Sequence, residues 1–291
     1  MDSSKKLRSV ASAALLALIL SLFSWYLHTH PSLLNQLSQV DLWRLVLVIT
    51  LYGCMTIVLM IIMHYSLLLA GTKIAVKENA LLSIYSSIVN FFGPLQSGPG
   101  FRAIYLKQRF GIKYKEFIRF SLIYYGFFAF FSAVFLFVPS LPIWLAALIL
   151  ACVIALCAVV LRNQRVSLSK FSSHHILKLG MATLLQVLLV ALIYFVELRG
   201  VNSQISIRQA FIYTGAGNFA LFVSLTPGAI GFRESFQLLA HRLHHIPSDT
   251  VIAASVIDRS IYLVFLGILF MLALSLHTKD QLGINKVRPK G

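Results

Sequence analysis

The sequence predicts an all-α polytopic membrane protein: six full spans plus two re-entrant broken helices in an inverted 4+4 repeat. Three observations carry this expectation. Of 291 residues, 58% are hydrophobic and only 12% are charged, whereas soluble domains are about a quarter charged. Apolar runs recur that exceed the roughly 18 residues needed to cross about 30 Å of hydrocarbon as helix, and lipid leaves the backbone few other folds. Two further apolar segments are each interrupted by a proline–glycine cluster. The formal net charge of +16 reads as cytoplasmic loops facing anionic headgroups, not as nucleic-acid binding.

The full spans are expected at 9–27, 43–70, 117–138, 140–161, 176–198 and 250–276. Lys5, Lys6 and Arg8 precede the first one, as in a signal peptide. The following His28-Thr29-His30-Pro31 offers no small-x-small cleavage site, so a retained span is expected. Cys54, Cys152 and Cys157 fall inside apolar runs without metal or disulfide spacing and read as small packing residues.

The first broken segment runs from about Ala80 to Arg109 and is interrupted by Gly93-Pro94-Leu95-Gln96-Ser97-Gly98-Pro99-Gly100. The second runs from about Ile207 to His245 and is interrupted by Thr226-Pro227-Gly228-Ala229-Ile230-Gly231. Proline removes a backbone donor and clashes with the preceding turn, and glycine permits non-helical angles. Each segment is therefore expected as two half-helices, with turns at Pro94 and Pro99 in one and at Pro227 and Gly228 in the other.

Charge decides whether these segments cross. If both turn back, nineteen Lys and Arg lie inside and five outside; if both cross, the split is eleven to thirteen. The positive-inside rule favours the first arrangement, in an inner (plasma) membrane with both termini cytoplasmic. Three full spans separate the two segments, so they dip from opposite faces. The chain is then one membrane domain, 1–291: repeat 1 about 9–138, repeat 2 about 140–276, and a cytoplasmic tail at 277–291. Letters recur across the repeat. Gly100-Phe101-Arg102 returns as Gly231-Phe232-Arg233 at an offset of 131, and Ser121 returns as Ser255 at 134. Inverted repeats with discontinuous helices are a transporter architecture; alternatively, the breaks let helices pack closely.

A half-helix that starts inside a bilayer presents unpaired N–H groups and partial positive charge to anions. Arg102 and Arg233 follow the two breaks, and arginine grips phosphate with a planar fork of donors. The candidate headgroup site is Arg102, Arg233, Asn90, Asn218, Gly98 and Gly231. In the competing reading Arg102 anchors a cytoplasmic loop, Arg233 pairs with Glu234 or a carbonyl, and Asn90 and Asn218 bond backbone freed by the turns. In the last span, Ser255, Asp258, Arg259 and Tyr262 share one helical stripe, which should face the interior because charge facing lipid is costly. Either Asp258 and Arg259 gate or couple transport with Glu234, or they are an ion pair that fixes the helix. The first-repeat counterpart is Ser121, Tyr124 and Tyr125. His174, His175, His241, His244 and His245 fit no metal framework, so no metal or cofactor is expected. No nucleophile elbow, phosphate loop or carboxylate pair argues for an enzyme.

Motif residues surround both breaks. Asn90, Pro94, Gly98 and Arg102 match Asn-x-x-x-Pro-x-x-x-Gly-Glu-x-x-Arg, with Pro99 at the glutamate position. Pro227, Gly228, Gly231, Arg233 and Glu234 match Pro-Gly-x-x-Gly-x-Arg-Glu, and Arg259 matches a downstream arginine. On these residues the chain resembles the transmembrane, flippase-like domain of lysylphosphatidylglycerol synthases, as a stand-alone member without the aminoacyl-transfer domain. The resemblance implies lipid handling within the membrane. The function expected is translocation of an anionic phospholipid or polyprenyl-phosphate-linked lipid. The alternative is a non-catalytic subunit whose partner is a glycosyltransferase or lipid-modifying enzyme.

Overall fold

The computed structural model of the chain describes residues 41–93, 97–142, 144–145, 173–223, 226–229 and 231–281, with Ser21 and His28. The expected span at 9–27, most of that at 140–161, Pro94, Cys152, Cys157 and the tail beyond 281 lie outside the described residues. What is described is helical: α1 (Leu42–Leu69), α2 (Val76–Phe92), α3 (Ser97–Phe110), α4 (Tyr114–Phe137), α5 (Ser173–Val201), α6 (Ile207–Val223), α7 (Phe232–Leu239), α8 (His241–His244) and α9 (Ser248–Gln281).

Four stretches are long and apolar enough to cross a membrane: Leu42–Leu69, Tyr114–Ser140, His174–Val201 and Ser248–Ser275. At 1.5 Å per residue, the 28 residues of α1 reach about 42 Å. Ile57, Leu122, Met181 and Met271 stand exposed on these helices, while Glu197, Asp258 and Arg259 are buried. Apolar outside and charged inside is the arrangement lipid selects.

The two interrupted segments form helical hairpins. Helix α2 stops at Phe92 because Gly93 adopts an extended ψ of 152°, as the residue before a proline must. Helix α3 then returns alongside α2. Near the start of α2, Glu78 accepts a 2.6 Å hydrogen bond from the Tyr105 hydroxyl and lies 3.4 Å from Arg109, so the two far ends meet. The legs touch closely at Gly98: a β-carbon there would sit 2.7 Å from the Ser86 carbonyl. In the second hairpin the Gln209 amide donates 2.9 Å to the His244 carbonyl, joining the start of α6 to the end of α8. Its tip is a 3-10 turn, Pro227–Ala229, in which Gly228 and Ala229 both have φ of 58°.

The hairpin mouths lie at opposite ends of the bundle. Helices α1 and α5 run antiparallel, with Arg44 reaching the Gly200 carbonyl. Ile246 and Ile205 pack with Val48 and Leu198 at that end. Ile112 and Leu106 pack with Leu67 and Leu179 at the other end. The second tip meets the end of α2, where a β-carbon on Gly228 would lie 3.3 Å from the Phe91 carbonyl.

Helix packing also follows a pairwise pattern. The contacts α1–α2, α2–α3, α3–α4, α4–α5, α4–α6 and α1–α4 recur as α5–α6, α6–α7, α7–α9, α9–α1, α9–α2 and α5–α9. The second interrupted segment contains one more break than expected, at Ala240 between α7 and α8, after which His245 ends the chain's turn in the left-handed region.

Candidate functional site

Between the hairpin tips lies a cavity of about 270 Å³ whose walls include Asn90, Arg102, Asn218, Arg233, Asp258 and Arg259. The proline–glycine breaks create it: two hairpins that end at mid-bundle leave a gap that two continuous helices would fill.

Two ion pairs fasten one side. Arg233 on α7 pairs with Asp258 on α9, and Glu234 on α7 pairs with Arg259 on α9. Successive residues on a helix point about 100° apart, so neighbours on α7 meet neighbours on α9 one to one. Asp258, with a side chain only 3% exposed, also accepts from the Tyr52 hydroxyl. Glu234 accepts from Arg259 Nε at 2.9 Å and from the Ser255 hydroxyl. Its other oxygen takes the Gly231 N–H at 2.8 Å, which caps α7; Gly231 itself sits at φ 82°, where a side chain is strained. Arg259 also donates 3.2 Å to the Gly228 carbonyl, tying α9 to the tip. The start of α7, expected to be open to an anion, is thus occupied by its own carboxylate.

The other side is different. Arg102 on α3 faces the cavity, and its Nε is buried with no hydrogen-bond partner among the described residues. The groups that act on it electrostatically are the phenols of Tyr124, Tyr125 and Tyr262. Tyr124 is turned to donate 3.1 Å to Gln186 on α5. Asn90 accepts the Gly98 N–H at 3.3 Å across the first break. Asn218 donates 3.1 Å to the Ser132 hydroxyl. Both asparagines therefore brace backbone or a neighbouring helix while still lining the cavity. Pro99 lies in the first turn of α3 and lines the same space, and Gly228 does so from the opposite tip.

The structure thus brings Arg102, Arg233, Asn90, Asn218, Asp258 and Arg259 together, with Glu234 behind them; Gly98 is taken up by packing between α2 and α3. Pro227 opens the second tip. His174 and His175 lie in the first turn of α5, while His241, His244 and His245 gather around α8, where His244 Nε2 donates 2.7 Å to the Gln237 carbonyl and His244 Nδ1 accepts the Ile246 N–H at 2.9 Å. Burial lowers the His244 pKa from its ordinary value. Among the described residues, no three His, Cys, Asp or Glu side chains converge as metal ligands.

Sequence reasoning did not single out Tyr52, Gln186, Tyr194 or Glu197. Tyr194 lends its ring face to the Arg233 guanidinium at 5.6 Å. Glu197 is 4% exposed. Gln186 and Glu197 each carried a signal, a polar or charged side chain inside an expected apolar span.

Membrane-length helices closed around two hairpins, with arginines and carboxylates in a central cavity, define a polytopic membrane protein with an internal charged site. The chain belongs to the family described as the lysylphosphatidylglycerol synthase TM region, whose profile matches residues 7–269. That family associates it with lipid metabolism at the membrane. Comparison with curated proteins and with solved structures gives no match.

Proposed function

We propose that the protein is an inner-membrane lipid translocase, not an enzyme, for an anionic phospholipid or polyprenyl-phosphate-linked lipid. Its topology in this reading is six full spans and two re-entrant hairpins in an inverted 4+4 repeat, with both termini cytoplasmic. The duplicated packing pattern of α1–α4 and α5–α9 and the mouths at opposite bundle ends support that topology.

The observation that carries the function is Arg102. Its Nε is buried, and no carboxylate among the described residues pairs with it; leaving a cation so uncompensated is costly, and an anion in the cavity relieves that cost. The cavity, at about 270 Å³, falls just short of the usual range for small-molecule pockets, about 300–1,000 Å³. It suits a headgroup whose acyl or prenyl chains remain in the bilayer. Arg233 and Arg259 are already neutralised, so Arg102 is the principal anchor of the phosphate, with the phenols of Tyr125 and Tyr262 as further donors.

The test is movement of fluorescent phosphatidylglycerol, or of a labelled polyprenyl phosphate, across proteoliposomes. Arg102→Ala is expected to slow transport by at least about tenfold, equivalent to about 1.4 kcal/mol. Arg102→Lys should recover part of it, as a point charge without the fork. Wild-type rates in Arg102→Ala would remove the proposed anchor. A second reading is a non-catalytic subunit that presents lipid to a glycosyltransferase or lipid-modifying enzyme. The double fastening of α7 to α9 favours it, because a braced half is better at presenting than at moving; binding without transport would select it.

A further inference from the structure

We infer that Glu197 is a proton-binding site, and that its proton is taken up together with the anionic headgroup. The second half of this inference rests on the translocase reading; the first half does not.

Glu197 lies near the end of α5, one turn beyond Tyr194, which lines the cavity. It is 4% exposed, and both carboxyl oxygens are buried with no hydrogen-bond donor. The neighbouring Arg233 is committed to Asp258, although its Nε remains without a partner. The charged and titratable groups that act on Glu197 come from every side: Tyr52 on α1, Tyr194 on α5, Tyr213 on α6, Arg233 on α7 and Asp258 on α9. Three of these are phenols. Among the described residues the single cation acting on Glu197 is Arg233, which Asp258 already holds. An ionised carboxylate without donors, next to another carboxylate, is among the least favourable groups to bury, and such groups neutralise instead. The protonated acid is the form this surrounding accepts.

The charge of the cavity then depends on that proton. With Glu197 neutral, Arg102, Arg233 and Arg259 outnumber Asp258 and Glu234 by one. Loss of the proton from the Glu197 carboxyl to water leaves a carboxylate and brings the cluster to neutrality. Arg102 stays unpaired in both states, but the net positive charge around the cavity that favours an anionic headgroup is greatest while Glu197 carries its proton. Proton binding and headgroup binding therefore strengthen each other by the same factor. An inward proton gradient acting on such a pair would drive the lipid in the same direction as the proton.

Two measurements on the full chain in vesicles of phosphatidylcholine test this. The first is infrared spectroscopy of the carbonyl band of protonated carboxyls at neutral pH, taken as the difference between samples in H2O and D2O so that the lipid ester carbonyls cancel. The band is expected in the wild type and absent in Glu197→Gln. Its absence from the wild type, or its persistence in Glu197→Gln, overturns the proton site. Should Glu197→Gln fail to fold, dicyclohexylcarbodiimide serves on the wild type, since it modifies protonated carboxyls in apolar settings. Peptide mass spectrometry should place the adduct on Glu197, decreasing as pH rises; an unmodified Glu197 overturns the proposal. The second measurement is the affinity for labelled phosphatidylglycerol against pH. Wild-type affinity should fall on the order of tenfold towards alkaline pH, and Glu197→Gln should be flat. Equal slopes overturn the linkage. If neither protein binds the lipid at any pH, the linkage and the lipid reading both fail, while the infrared result decides the proton site independently.

Discussion

Replacing Asp258 by asparagine tests whether the Arg233–Asp258 and Glu234–Arg259 pairs hold the second hairpin to the last helix. The Asp258 side chain is 3% exposed and the Arg233 side chain 18%. Removing one member of a buried pair costs about 3–5 kcal/mol, because the remaining charge is left without compensation. Arg233 keeps some contact with the cavity, so the lower end applies, about 3 kcal/mol. Asparagine retains an oxygen for the Tyr52 hydroxyl, which isolates the charge from the hydrogen bond. For a chain of this size that loss lowers the melting temperature by about 6–12 °C. The double variant Arg233→Gln with Asp258→Asn removes both charges and should recover about 2 kcal/mol, within the usual range of pair couplings. Arg102→Ala supplies the contrast: Arg102 has no counter-charge among the described residues, so its removal should leave stability unchanged or slightly raised. The assay is thermal or dodecyl-sulfate unfolding of the protein in mild detergent. Additive losses in the double variant would refute the pairing, and a loss in Arg102→Ala equal to that in Asp258→Asn would refute the difference between the two arginines.

Two further outcomes are expected. Gly98→Ala places a methyl group 2.7 Å from the Ser86 carbonyl and 2.9 Å from the Asn90 β-carbon, both on α2, so the hairpin must open; a loss of about 1–3 kcal/mol, read by the same unfolding assay, is expected, and a neutral result would contradict the close packing of α2 on α3. The His244 pKa is lowered from the ordinary 6.5, first by burial, and its Nδ1 accepts the Ile246 N–H, which a doubly protonated ring cannot do. The unfolded chain then binds a proton that the folded α8 corner rejects, so stability is full above pH about 6.5 and falls as pH drops through the window below it. Melting temperatures measured across that window should show the slope in the wild type and a weaker one in His244→Gln; identical slopes would assign the pH response to other groups.

The hairpins were readable from residues because proline and glycine act locally. Gly93 before Pro94 ends α2 one residue after Phe92, where the sequence places the break. The ion pairs were less readable. The sequence offered Glu234 as a partner for Arg233, yet residues adjacent on a helix diverge, and each instead meets its opposite on α9. Which of two neighbouring arginines takes which carboxylate is a matter of how α7 is rotated against α9, and periodicity does not carry that. Glu197 was hidden for a related reason. It stands two residues before the exposed Arg199, close to an expected span end, where a charged side chain reads as interfacial. Its surroundings come from other helices, with Tyr52 on α1, Arg233 on α7 and Asp258 on α9 acting on it.

The proposed repeat also relates the two arginines that follow the breaks, of which Arg233 has a carboxylate partner and Arg102 has none among the described residues. At the offset that relates Ser121 to Ser255, Asp258 corresponds to Tyr124 and Arg259 to Tyr125; at the offset that relates the two Gly-Phe-Arg triplets, Arg233 corresponds to Arg102. The first unit therefore retains the cation that follows the break but has phenols where the second unit has an acid and a base. In the second unit Asp258 completes the guanidinium and locks α7 to α9. In the first unit no described residue does so, and Tyr124 bonds to Gln186 instead. A phosphate bound at Arg102 would stand in the place of the absent carboxylate and join α3 to α4 as Asp258 joins α7 to α9. Ligand binding would thereby make the two halves alike in charge balance, and release would restore their difference, which is the kind of two-state bias that rocking of inverted repeats requires.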